Sequence, residues 1–282
     1  MNTTTMTTRL RTTDGTTMRA ITQDRYGEAG DVLRLEEIGR PAIGDEEVLL
    51  RVHAAGVDRG VWHLMTGLPY PVRLAGYGIR APKTPVRGRE VAGRVEATGS
   101  AVTTLHVGDE VFGIADGVGT FAVQIAKAAG AEVTGVCRTA KMDTVRSLGA
   151  DHVIDYTRAD IAAGGRRYDV IIDIGGNRAL KHLRSVLDPR GTLVIVGGET
   201  GGRWLAGSDR QLRALLLSPF TGQTLTTLIC SENTPDLLAL TELIESGQVR
   251  PVIDRTFPLS QTPEAIQYMR DGHARGKVVI SL

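Results

Sequence analysis

The sequence has only two cysteines, Cys137 and Cys230. That is too few for a four-thiolate zinc site or a disulfide framework, and a reducing, cytoplasmic setting is the expectation. It also lacks an excess of either charge: 33 Lys and Arg face 32 Asp and Glu, a net of +1. Such a balance provides no field for nucleic acid or an anionic membrane surface, and neither is expected as a partner. No apolar run approaches the roughly 20 residues that a membrane-spanning helix needs. Internal repeats are missing too, and the threonine-rich start is the one low-complexity tract.

What remains is ordinary globular material: 282 residues, 41% hydrophobic and 23% charged, enough for two domains with real cores. Residues 1–17 have no apolar h-region and read as a disordered leader, with folded sequence expected from Met18. Residues 18–116 read as a β domain. MRAITQDRYG, VLRLEEIGRP, EEVLLRVHAAGV, REVAGRVEATG and DEVFGIA are short alternating runs bounded by turn residues, the pattern of a barrel or folded antiparallel sheet. Residues 66–88 are proline-rich and aperiodic, and long loops of this kind often carry function.

From Gly117 the pattern changes to alternating helices and strands, which predicts a parallel sheet with crossover helices over 117–249. Phe121, Ala122, Ile125 and Ala126 form a helical stripe that ends near Gly130. Strands are expected at 132–137, 152–155, 169–174, 192–196 and 224–230, with helices near 177–187 and 235–246. Gly117, Val118 and Gly119 stand where such a unit brings its backbone against a dinucleotide pyrophosphate at a helix N-terminus. The tail, 250–282, returns to mixed character.

AAGVDRGVW, GREVAGRVEATGS, GDEVFGI, GVGTFAVQIAKAAGAEV, LGADHVIDY, YDVIIDIGG and ARGKVVISL follow one another in this order. Together they resemble the medium-chain dehydrogenase/reductase superfamily, specifically its zinc-independent quinone oxidoreductase-like branch. The resemblance implies an α/β protein in which a barrel-like (GroES-like) β domain precedes a doubly wound Rossmann sheet. It also implies that 250–282 returns to the β domain. The implied function is hydride transfer from a nicotinamide cofactor to a quinone, enone or related carbonyl compound, and a homodimer is an allowed assembly.

Zinc-dependent relatives place a cysteine after the AAG-type turn and a His-Glu pair in the segment reading Gly88-Arg89-Glu90. Here Asp58 and Arg89 occupy those positions; a guanidinium cannot ligate a cation, and no metal is expected. Cofactor choice turns on the end of the second Rossmann strand, where NAD-preferring enzymes carry an acid for the ribose hydroxyls. Val136-Cys137 offers none, and Arg138 and Lys141 follow at once. In the resembled branch a lysine at the Lys141 position and a tyrosine at the Tyr156 position contact a 2′-phosphate, which implies NADPH. Asp58, His63 and Tyr70 are the candidate catalytic residues, with Trp62 beside them. Asp58 could orient the nicotinamide ribose, and His63 or Tyr70 could donate a proton. Each also has a plain structural reading.

One departure stands out. Relatives carry several dozen residues between the GDEVFG strand and the glycine turn, including the first Rossmann strand, which is central in the order 3-2-1-4-5-6. Here GDEVFGIAD runs straight into GVGTFAVQ. That strand is therefore missing or replaced by 110–115, and the expectation is that 110–115 takes the central place and leaves the barrel open. Asp116 would then face the pyrophosphate. A shortened nucleotide-binding homologue with little or no turnover is the alternative to an active reductase.

Overall fold

The computed structural model describes residues 12–86, 88–113, 118–175, 178–197, 203–204, 208–228, 233–272 and 274–282. In chain order the elements are β1 (Thr12–Thr22), α1 (Ala29–Val32), β2 (Arg34–Pro41), β3 (Val48–Val57) and α2 (Arg59–Thr66). Then come β4 (Val91–Thr98), β5 (Glu110–Gly113), α3 (Val118–Ala128), β6 (Thr134–Cys137), α4 (Met142–Ser147) and β7 (His152–Asp155). They are followed by β8 (Tyr168–Asp173), α5 (Leu180–Ser185), β9 (Leu187–Ile195), α6 (Ser208–Leu217) and β10 (Thr224–Thr227). α7 (Thr234–Glu245), β11 (Ile253–Pro258), α8 (Thr262–Arg270) and β12 (Lys277–Ser281) complete the chain. The described residues divide into two units: those of Met1–Gly67, Val72–Asp116 and Ile253–Leu282, and those of Leu68–Pro71 and Gly117–Val252.

The first unit holds a five-stranded sheet, β11-β12-β3-β4-β5, and a separate antiparallel pair, β1-β2. β12 runs antiparallel to β3, with Val278 opposite Val57, so the C-terminal tail does return to this domain. Alternating apolar positions on β3, α2, α8 and β12 close a core around Met65, Val61, Val57, Ile266, Val278 and Ile280. β1 starts at Thr12, upstream of the start expected at Met18, and Thr17 pairs with Gly39 on β2. Threonine is β-branched, so the run read as leader is good strand material once β2 supplies a partner. Residues 1–11 lie outside the described residues.

The paired strands described in the second unit are all parallel, in two pieces rather than one. β6 pairs with β7, with Val136 opposite Ile154, and β8-β9-β10 form a separate three-stranded parallel sheet. Leu187, Leu193, Ile195, Leu225, Leu183 and Ala214 fill the core beneath the three-stranded piece, and Ile154 of β7 packs against it.

The expectation that 110–115 would take the central Rossmann place is corrected here. β5 pairs with β4 in the first unit, Val91 opposite Gly113 and Arg94 opposite Glu110. Two further bonds, Val95 N–H to Asp109 O at 2.9 Å and Gly108 N–H to Val95 O at 2.9 Å, continue that ladder into the preceding turn. An antiparallel partner reached through a short loop costs less chain entropy than a place in a distant sheet. Of the two readings of the first Rossmann strand, absence among the described residues is the one observed. Ile114, Ala115, Asp116 and Gly117 lie outside the described residues.

Candidate functional site

In the second unit the chemistry-bearing side chains gather where β6 and β7 end together. Cys137 stands opposite Asp155 in the parallel register, so Arg138 and Tyr156 leave the two strands side by side. The Tyr156 N–H donates to Cys137 O at 3.1 Å, and Arg138 Nε donates to the Tyr156 hydroxyl at 2.6 Å. The Arg178 guanidinium lies over the Tyr156 ring, 6.0 Å from its centroid. Among the described residues neither Arg138 nor Arg178 pairs with a carboxylate. Two guanidiniums around an exposed tyrosine, without acids to neutralise them, make an anion-binding edge. Arg178 went unnoticed in the sequence because it follows a different strand, β8; its place depends on which strand ends the fold brings together.

The nearest acid is turned away. Asp155 is buried, with Oδ1 accepting from Thr157 N at 2.9 Å and from the Thr157 hydroxyl at 2.7 Å, while Oδ2 accepts from the Thr139 hydroxyl. The Thr139 bond, followed by the Thr157 bond, holds its carboxyl below the usual carboxylate range. Asp155 therefore fixes the loops after both strands and offers nothing to a ribose. Cys137 is also buried, and desolvation first, then the Asp155 charge, raises its thiol above the ordinary value. Lys141 lies one short turn after Arg138, its N–H bonded to Arg138 O at 2.9 Å.

α3 begins at Val118 beside the end of β8. Among the described residues, a Cβ on Gly119 would meet Ile174 Cδ1, at 3.8 Å, in ordinary contact. α3 is anchored by Gln124, whose side chain donates to Arg250 O at 3.0 Å and accepts from Arg250 N at 2.9 Å. The Arg210 guanidinium of α6 forms a largely buried ion pair with Asp173 at the end of β8. A glycine in the first turn of a helix is the kind of backbone that can approach a phosphate closely. Gly117, the first residue of the expected turn, lies outside the described residues.

The remaining candidates divide between the units. Asp58 is the N-cap of α2: its Oδ1 accepts from Val61 N at 2.7 Å, and the residue is 4% exposed. His63 is on the same helix, edge-on to Trp62 with centroids 4.9 Å apart. Trp62 itself packs against the apolar core. Tyr70 belongs to the second unit, where its N–H donates to Arg203 O at 2.7 Å and its ring meets Trp204 edge-on at 5.2 Å. Asp58 and His63 are thus brought together at the cap and in the body of α2, and Tyr70 is a residue of the second unit.

The segment matching a metal site in zinc relatives is filled by cations of the protein itself. Glu90 is ion-paired with Lys277 of β12, the two side chains only 8% and 14% exposed. A Cβ on Gly60 would lie 2.9 Å from Asp58 Oδ1 and 3.1 Å from Arg89 Nη1, so the Arg89 guanidinium comes up beside the Asp58 carboxylate. Among the described residues no group of three or more His, Cys, Asp or Glu side chains could hold a metal ion.

Comparison with known proteins brings two adjoining families. The alcohol dehydrogenase GroES-like domain matches residues 44–152, and zinc-binding dehydrogenase matches residues 148–280. A chloroplastic quinone-oxidoreductase of Triphysaria versicolor is 28% identical over 337 aligned positions, covering 94% of this chain and 99% of that protein. Those 337 positions exceed the 282 residues of this chain, so the relative carries residues with no counterpart here. A mitochondrial NAD(P)H oxidoreductase of Mus musculus is 34% identical over 186 residues, 61% of this chain and 47% of that protein. In three dimensions the chain resembles Escherichia coli quinone oxidoreductase complexed with NADPH, with a TM-score of 0.74 at 20% identity over 94% of this chain and 100% of that one. At that identity the likeness speaks for the fold.

Proposed function

We propose, for a chain that belongs to the medium-chain dehydrogenase/reductase superfamily in its quinone oxidoreductase-like branch, that it is a zinc-independent reductase using NADPH on a quinone, enone or related carbonyl compound. An NAD(P)H-dependent oxidoreductase is the coarser statement, and the relatives named quinone-oxidoreductase and NAD(P)H oxidoreductase support it. The choice of NADPH rests on one observation above the others: Arg138 and Arg178 both reach Tyr156 at the C-terminal edge of β6 and β7, while the neighbouring Asp155 carboxylate is engaged by Thr139 and Thr157. A 2′-phosphate supplies the dianion that such an edge lacks, while a ribose hydroxyl needs an acceptor that is not there.

NADPH, when bound, supplies the hydride. The chain's own part is to hold the adenosine end through Arg138, Arg178, Lys141 and Tyr156, and to present the backbone of Gly119, in the first turn of α3, to phosphate. Reduction of an enone or quinone leaves an oxygen that takes up a proton, from His63, from Tyr70 or from water. Metal independence rests on Arg89 and the Lys277–Glu90 pair, which put fixed positive charge where a metal would otherwise serve Glu90. The deciding experiment titrates NADPH and NADH by fluorescence, then follows loss of nicotinamide absorbance with a simple quinone. Tenfold or tighter preference for NADPH, together with quinone-dependent turnover, is expected. Equal affinities would refute the cofactor assignment, and binding without turnover would refute the reductase.

A further inference from the structure

Arg138 and Tyr156 are both exposed, so water competes for the bond between them and their arrangement needs support from elsewhere. Asp155 offers it. The residue ends β7 and is 6% exposed. Its Oδ1 accepts from the N–H and the hydroxyl of Thr157, at 2.9 and 2.7 Å, and closes the turn that follows Tyr156. Its Oδ2 accepts from the hydroxyl of Thr139, 16 residues back in the chain and on the loop after β6. Arg158 Nε approaches the same oxygen at 3.7 Å. One buried carboxylate thus grips the loops after both strands. The residues assigned to the phosphate adjoin the two gripped threonines. Arg138 precedes Thr139, Lys141 closes the short helical turn Thr139–Lys141, and Tyr156 lies between Asp155 and Thr157.

We propose that Asp155 is a positioning residue for recognition of the 2′-phosphate. Through Thr139 and Thr157 it holds Arg138, Lys141 and Tyr156 in one arrangement, without itself touching the cofactor. The inference rests on the assignment of NADPH to this edge. β6 and β7 already pair along their whole length, from Thr134 opposite His152 to Cys137 opposite Asp155. The bond to Thr139 therefore adds little to strand pairing and acts on the loops beyond it. A contact that is ordered before the ligand arrives does not have to be ordered by it, and that saving appears as affinity. Without the link, the loop carrying Arg138 and Lys141 is ordered at the expense of phosphate binding. NADH has a hydroxyl in place of the phosphate, so its affinity depends little on where these cations stand. The carboxylate acts as a selectivity element although it is turned away from the edge it serves.

The test measures NADPH and NADH affinities by fluorescence in the full chain and its variants. Thr139→Val removes the bond between the loops and keeps the side chain's shape, whereas Thr139→Ser keeps the hydroxyl. Asp155→Ala removes every link at once, and Thr139→Val carries the test if that variant does not fold. Thr139→Val and Asp155→Ala should weaken NADPH binding about tenfold, the worth of one bond to a charged group, and change NADH binding less than about twofold. Thr139→Ser should bind NADPH within about twofold of the wild type. Arg138→Ala is the reference that reports whether the edge reads the phosphate at all. Loss of NADPH preference in Arg138→Ala but not in Thr139→Val overturns the positioning role alone. No loss in either overturns the cofactor assignment and the positioning role with it. Equal losses for both cofactors in Thr139→Val would make the link a matter of stability only, and would also overturn the proposal.

Discussion

Arg138 and Tyr156, far apart in sequence, are joined by a 2.6 Å bond from guanidinium to phenol, because β6 and β7 end at the same level of one parallel pair. The tyrosine thereby fixes the guanidinium while leaving its remaining N–H groups for an anion.

Arg138→Ala should weaken NADPH binding by about 10- to 100-fold, the worth of a charge-assisted contact of roughly 1.5–3 kcal/mol, and leave NADH nearly unchanged. Arg178→Ala should act in the same direction, and Lys141→Ala combined with Arg138→Ala should add to the loss. Fluorescence titration of each variant with both cofactors is the measurement. Parallel losses for NADH and NADPH would show that these residues shape the fold rather than read the phosphate.

The buried pair of Arg210 and Asp173 holds α6 against the end of β8. Removing either partner alone leaves a charge without its counterion. Arg210→Met or Asp173→Asn should therefore cost about 3–5 kcal/mol in urea unfolding. The double variant should cost clearly less than the sum, because the orphaned charge is gone. Additive losses would mean that the two residues act independently.

Dialysis against a strong chelator should leave both thermal stability and quinone turnover unchanged, with no stoichiometric zinc by elemental analysis. The Glu90–Lys277 pair supports this, and its packing is tight. A Cβ on Gly56 would fall 1.7 Å from Glu90 Oε2. Gly56→Ala should accordingly destabilise the first unit by about 1–3 kcal/mol, as overpacked sites do. Loss of activity on chelation would contradict the metal-free assignment.

Asp155 gives a dependence on acid. Its folded carboxyl lies below the ordinary carboxylate range because Thr139 and Thr157 donate to the ionised form. A depressed folded value means stability that is present above the unfolded value, near pH 4, and is lost as pH falls through the folded one. Unfolding midpoints of the wild type should therefore drop on acidification below about pH 4. Asp155→Asn and Thr139→Val should both flatten that slope. An unchanged slope in both variants would assign the acid sensitivity to other carboxylates.

The local chemistry of this chain was readable from residue order alone. The helix at Val118–Ala128 and the strand at His152–Asp155 follow from apolar periodicity. The return of the tail to the β domain is anticipated by the family's motif order and observed in β12 on β3. The absence of an acid after Val136 and the presence of Arg138 and Lys141 are equally facts of sequence, since they depend on position along one strand. Pairing is different, because it is decided by which distant edges reach one another. Nothing local distinguishes Glu110–Gly113 as a partner of β4 from the same segment as a central Rossmann strand. The short antiparallel closure decided it and left β6 and β8 on separate sheets. For the same reason Arg178 came to lie over the Tyr156 ring, Tyr70 went to the second unit, and Asp58 was engaged as the cap of α2. Each outcome depends on contacts between residues far apart in the chain, which only the folded structure specifies.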